Sequence, residues 1–131
     1  MSTLKADAIT AVTTNGDVSI SGNGSGGLNM LSGASATPFN AGTKASGTFT
    51  PNEADANFQH AINGGAHTLA PPTNNCCIIV QYTNNASAGA ITVSGFTKVD
   101  GDTATTTNGD DFFYYITKLN GFSALTVKAL Q

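Results

Sequence analysis

From Gly47 onward, turn residues interrupt this chain before any apolar run reaches helical length. Asn63-Gly64-Gly65, Pro71-Pro72-Thr73-Asn74-Asn75, Asn84 to Gly89, Asp100-Gly101-Asp102, Thr107-Asn108-Gly109-Asp110 and Asn120-Gly121 follow one another at short intervals. Asn and Gly tolerate positive φ and Pro fixes its own φ, so these clusters turn the chain. The stretches between them alternate apolar and polar residues with period two, the signature of half-buried strands. The pattern predicts strands near Gly47–Thr50, Asn57–Ile62, His67–Ala70, Cys76–Thr83, Ala90–Ser94, Phe96–Val99, Asp111–Lys118 and Phe122–Leu130. Asn52 to His60 is the one weak candidate for a helical turn.

The alternation also sorts the faces. Cys76, Ile78, Val80 and Tyr82 fall on one side of their strand, as do Phe112, Tyr114 and Ile116, and Leu125, Val127 and Ala129. Phe113 and Tyr115 make one strand apolar on its second face too, which places it in a sandwich centre or against another subunit. Short strands with turns at this spacing predict an all-β fold, an antiparallel β-sandwich of jelly-roll type. Asn63-Gly64-Gly65 and Asn120-Gly121 read as its tight hairpins.

The first 46 residues are a different polymer, mostly Ser, Thr, Gly, Ala and Asn. Thr14-Asn15-Gly16-Asp17 is a turn signal, and Leu4, Ile9, Val18, Ile20, Leu28 and Leu31 are its scattered apolar points. An isolated two-stranded hairpin is marginal in water. Residues 1–46 are therefore expected to be an arm or stem that docks on a partner, or a flexible linker, and residues 47–131 the head.

Composition excludes some roles. Five Lys, no Arg and eight acidic residues give a net charge of −3, which lacks the basic clusters that neutralise phosphates. The longest apolar run, Cys76 to Val80, is too short to cross a bilayer, and no apolar leader follows Lys5 and Asp7. Synthesis in a cytoplasm, with neither nucleic acid nor membrane as partner, is the expectation. Cys76 and Cys77 point to opposite faces of a strand and are expected as two packed, reduced thiols.

Two stretches resemble known proteins. The opening Ser2-Thr3-Leu4-Lys5-Ala6-Asp7-Ala8-Ile9, followed by Thr13-Thr14-Asn15-Gly16-Asp17-Val18-Ser19-Ile20-Ser21-Gly22-Asn23-Gly24, resembles the start of tailed-phage fibre and minor structural proteins. Gly47-Thr48-Phe49-Thr50-Pro51, Asn57-Phe58-Gln59, Asn63-Gly64-Gly65-Ala66-His67-Thr68-Leu69-Ala70-Pro71-Pro72, Gln81 to Thr92 and Thr106 to Phe113 resemble a C-terminal module of phage and prophage virion proteins. The resemblance implies a virion structural protein: a short fibre or spike anchored by its arm, or a capsid decoration (cement) protein that stabilises the head shell. Implied partners are other virion proteins and itself, as a homotrimer that buries the second apolar face. The family supplies no binding residue.

The remaining motifs are weak. Gly109-Asp110-Asp111 lacks the second aspartate motif and the basic template groove of a polymerase palm. Asp100 and Asp102 are too few for a calcium loop. His60 and His67, set across the expected hairpin, want a third zinc ligand. Gly22 to Gly27 lacks the strand–helix setting of a dinucleotide site. No catalytic residue, metal or cofactor is expected. Asn108, Asp110, Asp111 and Tyr115 are the candidate surface for a host glycan, set against the reading of the neighbouring aromatics as core or interface.

Overall fold

A computed structural model describes Gly33 and residues 35–130. The chain divides between Ala34 and Ser35. The arm candidates Leu4, Ile9, Val18, Ile20, Leu28 and Leu31 all lie outside the described residues.

Among the described residues nine strands follow in order: β1 (Phe39–Lys44), β2 (Thr48–Phe49), β3 (Phe58–Asn63), β4 (His67–Leu69), β5 (Cys76–Asn84), β6 (Ile91–Val93), β7 (Lys98–Gly101), β8 (Asp111–Leu119) and β9 (Phe122–Ala129). The eight expected strands all form, with ends shifted by a few residues at most. The all-β expectation holds. Asn52 to His60 gives only a turn, closed by the Asp55 amide on the Asn52 carbonyl at 3.2 Å, before β3 begins.

The strand pairing differs from the expectation. One sheet has the order β1-β3-β5-β8-β9-β7 and the other β2-β4-β6. Of the seven pairings among the described residues, β1–β3, β3–β5, β2–β4, β4–β6 and β7–β9 are parallel; only β5–β8 and β8–β9 are antiparallel. The chain alternates between the sheets, so β1-β2, β3-β4 and β5-β6 are three successive turns of one winding. Asn63-Gly64-Gly65 is thus a corner between sheets and no hairpin. The reason is geometric: adjacent turns place like strands side by side in the same direction, as repeat architectures do.

The register exposes a repeat. Lys44 pairs with Asn63 and Asn63 with Asn84, while Thr48 pairs with Thr68 and Thr68 with Thr92. A corner polar residue, a short loop and a Thr-apolar pair recur in every turn. Phe39–Lys44, grouped with the arm by composition, is the first strand of this winding among the described residues. Its bulge at Asn40–Gly42, with Gly42 at φ +74°, hides the strand pattern.

The winding is closed by β8 and β9, joined through Asn120 (φ 49°) and Gly121 (φ 83°) with Leu119 opposite Phe122. This hairpin forms where expected, because both turn residues must adopt positive φ. Asn108-Gly109 also turns the chain, but it leads from a loop into β8 and pairs no hairpin.

Between the sheets lie Ala61, Leu69, Ile78, Val80, Tyr82, Phe112, Tyr114, Ile116, Leu125 and Val127. Inward alternation on β5, β8 and β9 matches the sequence. Tyr82 is central: its ring stands edge-on to Tyr114 at 5.0 Å and to Phe49 at 6.4 Å. Its hydroxyl lies 3.1 Å from His67 Nε2, and His67 Nδ1 lies 2.9 Å from the Gly65 carbonyl. A carbonyl only accepts, so Nδ1 carries the proton and Nε2 accepts from Tyr82. Burial drives the Tyr82 hydroxyl far above its ordinary range and pushes Tyr114 up to about 12.

Asn63 and Asn84 form a polar column at the corner. Both are buried, and the Asn63 amide donates to Asn84 Oδ1 and to the Gly89 carbonyl, each at 2.9 Å. Asn84 donates in turn to the Thr105 carbonyl at 2.9 Å. Buried amides of this kind satisfy loop backbone groups that no strand partner reaches. In the first turn Lys44 takes the column position and lays its ammonium 4.3 Å from the centre of the Phe49 ring.

Candidate functional site

The two outward faces differ in chemistry. On the three-stranded sheet, Thr48, Thr68 and Thr92 line up across the strands and border a polar groove of about 390 Å³. On the six-stranded sheet, the outward row is Phe58, Ile79, Tyr115 and Thr126, one residue from each of β3, β5, β8 and β9. Ile62 continues this face along β3 and Phe113 along β8, Phe113 edge-on to Tyr115 at 5.9 Å. Cross-strand pairs of this kind lie close enough to form one surface.

At the hairpin end the face opens into an apolar groove of about 450 Å³, lined by Thr97, Lys98, Thr117, Leu119, Phe122 and Ala124 among others. Phe58 is 47% exposed, Ile62 40%, Tyr115 41%, Leu119 66% and Phe122 67%. Single exposed apolar residues are ordinary, but a contiguous apolar patch marks an interaction surface.

The charges near this face are largely engaged within the chain. Asp111 accepts from the Thr83 hydroxyl and from Gln81 Nε2. Lys128 pairs with Asp102 at 2.9 Å, and the Ala129 amide donates to the same carboxylate at 3.0 Å. These two donors hold the Asp102 carboxyl below its usual range.

The glycan candidates are only partly brought together. Asp111, Phe113 and Tyr115 point outward in line along β8, so the Asp111 and Tyr115 Cα atoms are about 13 Å apart at ~3.3 Å per residue. Asp110 accepts from the Thr105 hydroxyl and belongs to the loop before β8. Asn108 is exposed in the turn above it. His60 projects from the outer side of β3, whereas His67 is buried in the second sheet, so the two do not form the cross-hairpin pair expected of them. The Asp100 carboxylate accepts from the Gly101 amide at 2.8 Å. Cys76 packs partly against the core, where burial raises its thiol, while Cys77 is exposed on the outer face, contrary to the expectation of two packed thiols.

Sequence reasoning missed Phe58, Ile62, Ile79, Leu119 and Phe122 as members of one surface. The period-two parity that set Phe113 and Tyr115 outward was available for each of them. What it lacked was the order of strands, which places their rows side by side. The chain matches no protein-family profile, no curated protein and no solved structure.

Proposed function

We propose that this chain is a structural, non-enzymatic subunit of a bacteriophage virion: a short fibre or spike, assembled as a homotrimer and anchored through its N-terminal region. The observation that carries the reading is the contrast between the faces, a polar threonine face and a broad apolar one whose central charges, Asp111 and Lys128, are satisfied internally. A rigid wound head with one adhesive side suits a building block, because many modest contacts multiply by avidity once copies are fixed in an array. The phage-like opening sequence supports the same class. Contact with a host-surface glycan would fall to Asn108 and Asp110, in the loop before β8 and off the apolar face.

The test is localisation and copy number in purified particles, by quantitative mass spectrometry and by gold-labelled antibody against the head. A few trimers at a tail or vertex support the fibre. Hundreds of copies over the shell replace it with the decoration role, and absence from the particle refutes both.

A further inference from the structure

The outer face of the six-stranded sheet carries two properties together, apolar character and a standard interface area. Strands of 6, 6, 9, 9, 8 and 4 residues across the sheet, at roughly 3.3 Å per residue and roughly 4.8 Å between strands, give a face of roughly 670 Å². A stable protein interface takes about 800 Å² per partner. Its centre is Phe58, Ile79, Phe113 and Tyr115, with Leu119 and Phe122 at the hairpin end.

We infer that the occupant of this face is a second copy of this chain, packed by the same face, with the Tyr115 row at the centre of the contact. This deepens the assembly reading above and rests on it. Charge decides for a like partner. The outward charges of the central strands, Asp111 and Lys128, already have partners in their own chain, so a charged ligand gains little there. Charges without an ionic partner lie at both margins. Lys98 and, two residues on, Asp100 stand exposed on β7 at one edge, and Asp55 stands exposed in the loop entering β3 near the other. The register sets Lys98 level with Ala124, Thr117 and Cys77, the end of the sheet from which β3 starts. A closed ring of two or three copies brings the β7 margin of one copy beside the β1–β3 margin of the next, Lys98 toward Asp55. Opposite charges at the rim set register and orientation between copies, and closure keeps the apolar face from building open fibres.

The experiment is light scattering coupled to size exclusion, on the full chain and on the Phe58→Lys/Tyr115→Lys double variant. The expected wild-type mass is three times that of one chain, falling to one chain in the variant. Both side chains point to solvent, so circular dichroism and the urea midpoint serve as the folding check. Should the double variant unfold, Leu119→Lys at the exposed hairpin end takes its place and is expected to weaken association at least tenfold. A Lys98→Asp variant is expected to weaken association, and adding Asp55→Lys to restore it. A dimer that the face substitutions dissociate supports the same surface with a smaller ring. A monomeric wild type, or an oligomer untouched by the face substitutions, overturns the inference. Particle localisation is read separately, so a monomer found in virions sinks the interface and leaves the virion role standing.

Discussion

Asn63 is the side chain whose loss the fold should feel most for its size. Its amide is fully buried and donates to Asn84 Oδ1 and the Gly89 carbonyl, while its own oxygen accepts from the Gly89 amide at 3.3 Å. Asn63→Ala strands a buried side-chain acceptor and two backbone groups of the β5–β6 corner. A buried polar group left without a partner costs about 1–3 kcal/mol. With Gly89 only partly buried, the sum is about 3–5 kcal/mol. Domains of this size hold roughly 5–14 kcal/mol in total, so one amide accounts for about a fifth or more. Urea unfolding of the full chain, extrapolated linearly, measures the loss. Asn108→Ala in the exposed turn is the control, expected within about 0.5 kcal/mol of wild type. A loss below about 1 kcal/mol for Asn63→Ala, at unchanged slope, would show that the column is incidental to the winding.

Four further outcomes follow from the same contacts. A Cβ on Gly89 would sit 2.1 Å from the Ala66 nitrogen and 2.5 Å from the Gly65 carbonyl carbon, so Gly89→Ala should cost at least about 2 kcal/mol by the same urea assay. Tyr82→Phe deprives buried His67 Nε2 of its donor and should cost about 1–2 kcal/mol in thermal and urea unfolding. The lowered Asp102 carboxyl contributes stability that is present at neutral pH and lost as pH falls through its depressed value; urea midpoints of wild type and Asp102→Asn should therefore converge toward acid, and parallel curves would refute the pairing with Lys128. A maleimide probe, read by peptide mapping, should label exposed Cys77 faster than Cys76, whose thiol is raised by burial.

Strand positions and burial faces were legible in the sequence because period-two alternation is local. Ile78, Val80 and Tyr82 needed only their neighbours to be assigned inward, and so did Leu125 and Val127. Pairing was not local. Asn63-Gly64-Gly65 carries the same chemistry whether it closes a hairpin or rounds a corner between sheets, since both need small residues and backbone freedom. The recurrence that separates the two was present in Lys44 with Thr48-Phe49, Asn63 with Thr68-Leu69, and Asn84 with Thr92-Val93. Loops of unequal length between the column residue and the threonine hid it from a search for a fixed period. The candidate surface was half legible for the same reason. Phe113 and Tyr115 announced an outward apolar face by parity alone, but Phe58 and Ile79 joined it only through the β3–β5–β8 order. Strand β1 was lost to composition: Phe39 is its one large apolar residue, and the bulge at Gly42 breaks its alternation.

The winding makes length a discrete quantity. Each turn adds one strand to each sheet and lengthens the stack by one strand spacing, roughly 4.8 Å, at the expense of about 20 residues. Nineteen residues separate Lys44 from Asn63 and twenty-one separate Asn63 from Asn84. A head of this design can therefore grow or shrink only in whole steps, like a ruler with fixed graduations. The two ends of the ruler are not equivalent. A duplicated Asn63 turn would extend the column with an amide that both donates and accepts. A duplicated Lys44 turn would place at the column an ammonium that only donates, so of the three described turns it is the least suited to repetition.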